Sequence, residues 1–164
     1  VTTYAEKKIV PYAPAQLFAL VADVAKYPSF LPWCVGARIR SHEGNEVVAD
    51  LTIGFGPFRE SFTSRVTLEP PDATGGCAIR VKYENGPFKY LNNRWNFAPH
   101  AQGCLVDFYV DFEFRNIVLQ KAIGAVFGEA VRLMVAAFLR RARVVYGPPV
   151  VGAKPVAGER EAGA

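Results

Sequence analysis

Residues 106–114 read VDFYVDFEF, an unbroken alternation of apolar with acidic or phenolic side chains. Strict period-two alternation marks a half-buried β-strand, because successive side chains leave a strand on opposite faces. Val106, Phe108, Val110, Phe112 and Phe114 therefore share one face, and Asp107, Tyr109, Asp111 and Glu113 the other. So much aromatic bulk on one strand face requires a deep apolar layer above it, and the chain must supply something large to cover this sheet.

The covering element follows directly in the sequence. Asn116 is placed to cap a helix that the pattern extends to Tyr146, about 30 residues and about 45 Å long. Ile123, Phe127, Ala130, Met134, Phe138, Ala142 and Val145 form its apolar stripe, while Lys121, Glu129, Arg132, Arg140 and Arg143 occupy the opposite sector. Upstream, residues 35–114 alternate in blocks parted by turn signals at Glu43-Gly44-Asn45, Gly56-Pro57, Pro70 to Gly76, Asn85-Gly86-Pro87 and Pro99 to Gly103, which predicts six antiparallel strands. Thr3 to Val10 reads as a further strand. Pro14 opens a short amphipathic helix, and the run YPSFLPWC, 27–34, folds as a tight second helical turn. The expectation is an α+β domain: a curved seven-stranded antiparallel sheet wrapped around a long C-terminal helix, with two short helices after the first strand.

Strand parity extends the inward face to Val47, Ala49, Leu51, Ile53 and Phe55, then Phe58, Phe62, Val66 and Leu68, and on the later strands Ile79, Val81, Leu91, Trp95 and Phe97. Glu60, Ser64 and Asn93 fall in phase with these apolar sets, so polar groups point toward the core. Two readings of Glu60 and Asn93 stand side by side: a structural hydrogen-bonding pair, or the groups that orient an amphiphilic ligand in an apolar cavity. The aromatic excess likewise fits either a filled core or a pocket wall.

Composition narrows the function classes. Of 164 residues, 51% are hydrophobic and 21% charged, far from a disordered composition and enough for one sizeable core. The longest charge-free stretch, Ile9 to Ala22, holds 14 residues and two prolines, short of the roughly 20 a spanning helix needs. With no apolar segment of secretory type at the amino terminus, a cytoplasmic protein is expected. Cys34, Cys77 and Cys104 are scattered and read as buried free thiols, and His42 and His100 lie beside turns as solvated side chains. No nucleophile elbow, zinc signature, phosphate loop or dinucleotide fingerprint is present, which predicts neither a catalytic residue nor a metal. Asp107, Asp111 and Glu113 read as cross-strand ion-pair partners of bases such as Arg94. The net charge of +4 concentrates on the last helix. The Gly- and Pro-rich segment 148–164 is expected to be a disordered tail behind a single domain, 1–147.

Three ordered segments then carry a resemblance: YPSFLPWC (27–34), GPFKYLNNRWNFAP (86–99) and VDFYVDFEF (106–114), followed by Phe127, Ala137-Phe138, Arg141-Ala142 and Tyr146-Gly147. Over 1–147 the chain resembles the coenzyme Q-binding, START-like family of the helix-grip (START/Bet v 1-like) superfamily, which includes mitochondrial quinone chaperones and bacterial ribosome-association toxins. The resemblance implies a sheet gripping a long helix around a tunnel that binds, without turnover, ubiquinone or a similar polyprenyl lipid. Phe30, Leu31 and Trp33 match the family's tunnel-mouth segment; Trp95, Phe97, Phe108, Phe112, Phe127 and Phe138 match its lining. The inward faces add Phe55, Phe62, Val110, Val131 and Met134, and parity alone adds Glu60 and Asn93. The chaperone would support respiration or quinone biosynthesis, peripheral to the inner membrane, because a long tail outgrows a pocket of about 300–1,000 Å³. The alternative is a growth inhibitor, the toxin of a toxin-antitoxin pair, whose basic helix face binds the large ribosomal subunit and blocks subunit association. A polyketide aromatase or cyclase is the third reading.

Overall fold

The computed structural model describes residues 2–149, without the side chain of Phe55. From residue 150 onward the expected tail lies outside the described residues. The order is β1 (Thr2–Val10), α1 (Pro14–Ala22), a 3₁₀ helix (Val24–Ser29), β2 (Cys34–Glu43), β3 (Glu46–Phe55), β4 (Phe58–Glu69), β5 (Cys77–Asn85), β6 (Phe88–His100), β7 (Gly103–Phe114), α2 (Ile117–Gly124) and α3 (Phe127–Tyr146). The strands form one antiparallel sheet in the order β1-β7-β6-β5-β4-β3-β2, so the first strand closes one edge against the last. All five turn signals fall between the strands they were expected to join. Register shifts at Cys34/Gly36, Ile39/Ser41, Thr63/Ser64 and Phe88/Tyr90 bend the sheet.

Local chemistry explains the elements. Pro14 begins α1, and the Gln16 side chain accepts the Ala13 N–H at 2.9 Å. Asn116 caps α2 as its sequence position predicts, its Oδ1 accepting from Val118 and Leu119 at 2.8 and 3.0 Å. Gln120 ties α2 to the sheet, accepting the Phe114 N–H at 2.8 Å and donating to Thr2 Oγ1 at 2.7 Å.

The single thirty-residue helix is not what forms. It breaks at Ala125 and Val126 into pieces of 8 and 20 residues bent by 65°. Gly124 and Gly128 flank the break, each less favourable than alanine in a helix by about 1 kcal/mol. Beyond the elbow, Phe127 turns inward and packs on Phe112 with ring centroids 4.8 Å apart. The buried stripe of α3 is Phe127, Val131, Val135, Phe138 and Ala142, whereas Val145, expected in it, is exposed. Among the described residues no single helix is long and apolar enough to cross a membrane; α2 and α3 reach that length and composition only together, across the bend.

On the outer face the expected cross-strand ion pair forms at Glu113, with Lys89 rather than Arg94 as its base. Lys89 pairs with Glu113 at 3.0 Å and Thr3 donates to Asp111 at 3.0 Å, while the Arg94 guanidinium lies 4.4 Å from the centre of the Tyr109 ring.

Candidate functional site

Sheet and helices fill one end of the domain and leave the other hollow. At the filled end α1 lies across β5, β6 and β7, and Val10, Phe97 and Cys104 are almost completely buried. The gap that remains there is about 20 Å³. Cys77 donates to Pro14 O at 3.6 Å, and burial pushes the Cys77 and Cys104 thiols up to about 11 and about 12, so both are unreactive.

At the hollow end a cavity of about 280 Å³ opens between the inner faces of β3 to β7, the residues around the 3₁₀ helix, and the α2–α3 elbow. That is close to the lower end of ligand pockets, roughly 300–1,000 Å³, and well above the ~150 Å³ of an engineered cavity that binds benzene. The floor grades outward along β3, from Ala49, 2% exposed, to half-buried Leu51 and Ile53. The rim lies where Trp33 and Ile53 face Ile123, Val126 and Ala130 of the elbow.

Thirteen residues were expected to line a cavity besides Phe30, Glu60 and Phe97, and twelve do: Leu31, Trp33, Phe62, Asn93, Trp95, Phe108, Val110, Phe112, Phe127, Val131, Met134 and Phe138. The thirteenth, Phe55, has its side chain outside the described part. Three expectations are corrected. Phe30 sits behind the wall, edge-on to Phe138 at 5.3 Å and beneath the Arg141 guanidinium at 5.1 Å. Phe97 shares the inward face but belongs to the filled end. Glu60 keeps its phase opposite Ile53, yet it is half-buried beside the β3–β4 turn and outside the wall.

Residues that sequence reasoning missed have identifiable causes. Phe88 lines the cavity because the extra residue Lys89 in β6 reverses the parity that Leu91 and Asn93 set. Gly86 lets it approach: at φ 147° its backbone passes so close to Phe62 that an added Cβ would lie 2.6 Å from the Phe62 Cβ. Tyr27 enters from the 3₁₀ helix, its hydroxyl donating to Val21 O. Trp33, the only non-glycine with positive φ among the described residues (65°), is held in the left-handed region at the rim. Its carbonyl accepts the Gly54 N–H at 2.8 Å, which fastens this costly conformation, of order 1–3 kcal/mol, to β3.

Among the described residues the wall carries no Asp, Glu, Lys, Arg or His. Its titratable members, Tyr27 and Cys34, are both pushed upward by burial, so both stay neutral at ordinary pH. Two polar side chains remain in the wall besides them. Asn93 donates Nδ2 to Tyr109 O at 2.9 Å. Ser64, 3% exposed, has an Oγ that is buried with no hydrogen-bond partner among the described residues, a cost of about 1–3 kcal/mol. Among the described residues no group of three or more His, Cys, Asp or Glu is arranged to hold a metal ion. Such a site can enclose an apolar molecule and offer it one or two hydrogen bonds, and it lacks the paired acid and base of hydrolytic chemistry.

A curved antiparallel sheet closed over a C-terminal helix, with an apolar cavity between them, defines a helix-grip protein of the START/Bet v 1 class. The chain belongs to the family described as polyketide cyclase / dehydrase and lipid transport, whose pattern matches residues 10–139. It is 39% identical over 143 residues to the ribosome association toxin RatA of Rickettsia prowazekii, covering 87% of this chain and 97% of that one. It is 30% identical over 162 residues to the mitochondrial coenzyme Q-binding protein COQ10 of Drosophila melanogaster, covering 96% of this chain and 65% of that protein. In fold it is similar to a STAR-related lipid transfer protein of Xanthomonas axonopodis, with a TM-score of 0.72 at 13% identity, covering 86% and 85% of the two chains. The named sequence relatives are a binding protein and a toxin.

Proposed function

We propose that this protein binds a polyprenyl quinone such as ubiquinone, or a similar lipid, without transforming it, and shields it from water as a chaperone in respiration or quinone biosynthesis. The uncharged cavity of about 280 Å³ carries this reading. Each buried CH₂ of a ligand contributes about 0.8 kcal/mol, so even a few isoprene units supply several kcal/mol before ordering costs. The cavity holds a ring and the first part of a tail; the remainder of a long tail passes out over the rim, which suits a protein working in the cytoplasm against a membrane surface. The name of the COQ10 relative supports the choice of quinone.

The test is mass spectrometry of lipids extracted from protein purified under mild conditions from its own host. Near-stoichiometric quinone is expected with the wild type, and none with Ala130→Trp, which fills the rim from a half-buried position and leaves the fold intact by circular dichroism. A wild-type protein that carries no lipid and takes up none from quinone-containing vesicles would sink the proposal.

A second reading is favoured by the toxin relative and by the outer face of the helices, where Lys121, Arg132, Arg140 and Arg143 are all exposed. On this reading the protein binds the large ribosomal subunit and blocks subunit association. Arg132 is partly neutralised by Glu129, which leaves Arg140 and Arg143 as the freer cations. Cosedimentation with large subunits that weakens steeply with salt and disappears in Arg140→Glu/Arg143→Glu would support it. Salt-insensitive or absent cosedimentation would end it.

A further inference from the structure

Resting on the lipid-binding reading, we infer that Ser64 is a hydrogen-bonding station on the cavity floor that receives the uncharged polar end of the lipid head-first, with the apolar tail leaving over the rim. The ligand class this selects is a neutral amphiphile whose polar end is a ketone, quinone or alcohol oxygen.

Three observations converge. Ser64 lies between Phe62 and Val66 on β4, faces the cavity, and its buried hydroxyl has no partner among the described residues. Its cross-strand neighbours do not supply one. Ala49 on β3 has no polar side-chain atom, and the Tyr83 hydroxyl on β5, which accepts the Phe88 N–H at 3.1 Å and does not line the cavity, makes no hydrogen bond to Ser64. A serine hydroxyl both donates and accepts, so a single ligand oxygen restores what the fold leaves open.

Depth gives the orientation. Ser64 pairs with Ala49, 2% exposed, whereas the rim latch between Trp33 and Gly54 lies five residues further along β3, about 17 Å away at about 3.3 Å per residue. Asn93, the amide in the sheet's lining, stands two strands over on β6, with Val81 of β5 between it and Val66 of β4. Asn93 gives one Nδ2 hydrogen to Tyr109 O, and its amide keeps a second N–H and the Oδ1 acceptor.

Charge gives the chemical class. A carboxylate or phosphate brought to this floor meets no cation among the described residues of the wall, and an unpaired buried charge is strongly disfavoured. Fatty acids and phospholipid headgroups are therefore rejected while neutral carbonyl lipids are accepted.

The probes are a benzoquinone bearing a ten-carbon chain, decylbenzene with the same chain and no oxygen, and decanoate at pH 7, each competed against bound Nile red. The wild type should prefer the quinone to decylbenzene, and Ser64→Ala should weaken the quinone about 10-fold while leaving decylbenzene unchanged. Ser64→Thr, which keeps the hydroxyl, should retain the preference, and decanoate should compete worst with every variant. Equal quinone affinity for wild type and Ser64→Ala overturns the station while leaving the cavity a binding site. Failure of all three probes to displace Nile red from the folded wild type overturns the station together with the lipid-binding reading.

Discussion

The two ends of this domain are built from the same materials and end up differently. Trp95, Phe108 and Phe138 stand between them, touching the 20 Å³ gap on one side and the 280 Å³ cavity on the other. At the filled end α1 lays Leu17, Leu20 and Val21 over the sheet, and Ala142 of α3 is fully buried. At the hollow end no α-helix among the described residues takes the place of α1: the chain turns at the elbow and α2 goes to the β1–β7 edge. Apolar lining alone does not decide between core and pocket; what decides is whether an element arrives to fill the concavity of the sheet.

The comparison is best broken by removing atoms from each end. Phe97→Ala at the filled end should cost about 4 kcal/mol in urea unfolding, and Leu51→Ala, which already borders open space, about half that or less. Comparable costs would mean that the cavity is closed in solution. Adding atoms should reverse the ranking of harm: Ala142→Phe should cost about 3 kcal/mol through overpacking and Ala130→Phe less than about 1 kcal/mol. A stability gain of about 1 kcal/mol is expected for ligand-free Ser64→Ala, since the substitution deletes an unpaired buried hydroxyl; a loss would place a structural partner on Ser64.

The smallest effect is one of pH. Asp50, on the outer face of β3, is held below its ordinary value of 3.8 chiefly by the Thr63 hydroxyl at 2.5 Å, and also by Arg40 at 2.7 Å. Its folded form therefore binds a proton less readily than its unfolded form, so it contributes stability above the ordinary value that is lost as pH falls through the lowered folded one. Because these bonds knit β2, β3 and β4, amide exchange on those strands should accelerate on acidification before exchange beneath α1 does. Asp50→Asn should remove that difference; uniform acceleration in the wild type would contradict it.

Strands and turns were legible in the sequence because alternation and turn chemistry are local: VDFYVDFEF needs no partner to declare its faces. The elbow was not, since Ile123 and Phe127 keep helical spacing across it, and the weakening by Gly124 and Gly128 does not by itself say that the chain turns. For the site, parity told which face a residue takes but not which end of the sheet it occupies. That is why Phe62 and Asn93 lie in the cavity wall while Phe97, on the same face, lies under α1. Glu60 marks the same boundary at the β3–β4 turn. Phe88 was hidden by the extra residue beside it, which no pattern within β6 reveals without its partner strand.

A cavity of about 280 Å³ that can take a ligand also makes the endurance of the chain a function of its surroundings. A ligand present at 100 times its dissociation constant stabilises the folded form by about 2.7 kcal/mol, a large share of the 5–15 kcal/mol that holds a domain together. On the proposed lipid-binding function, the hollow end would couple protein lifetime to lipid supply. Removal of a lipid held at 100 times its dissociation constant would raise the unfolded fraction open to proteases about a hundredfold. The melting temperature at graded quinone concentrations reads this coupling directly.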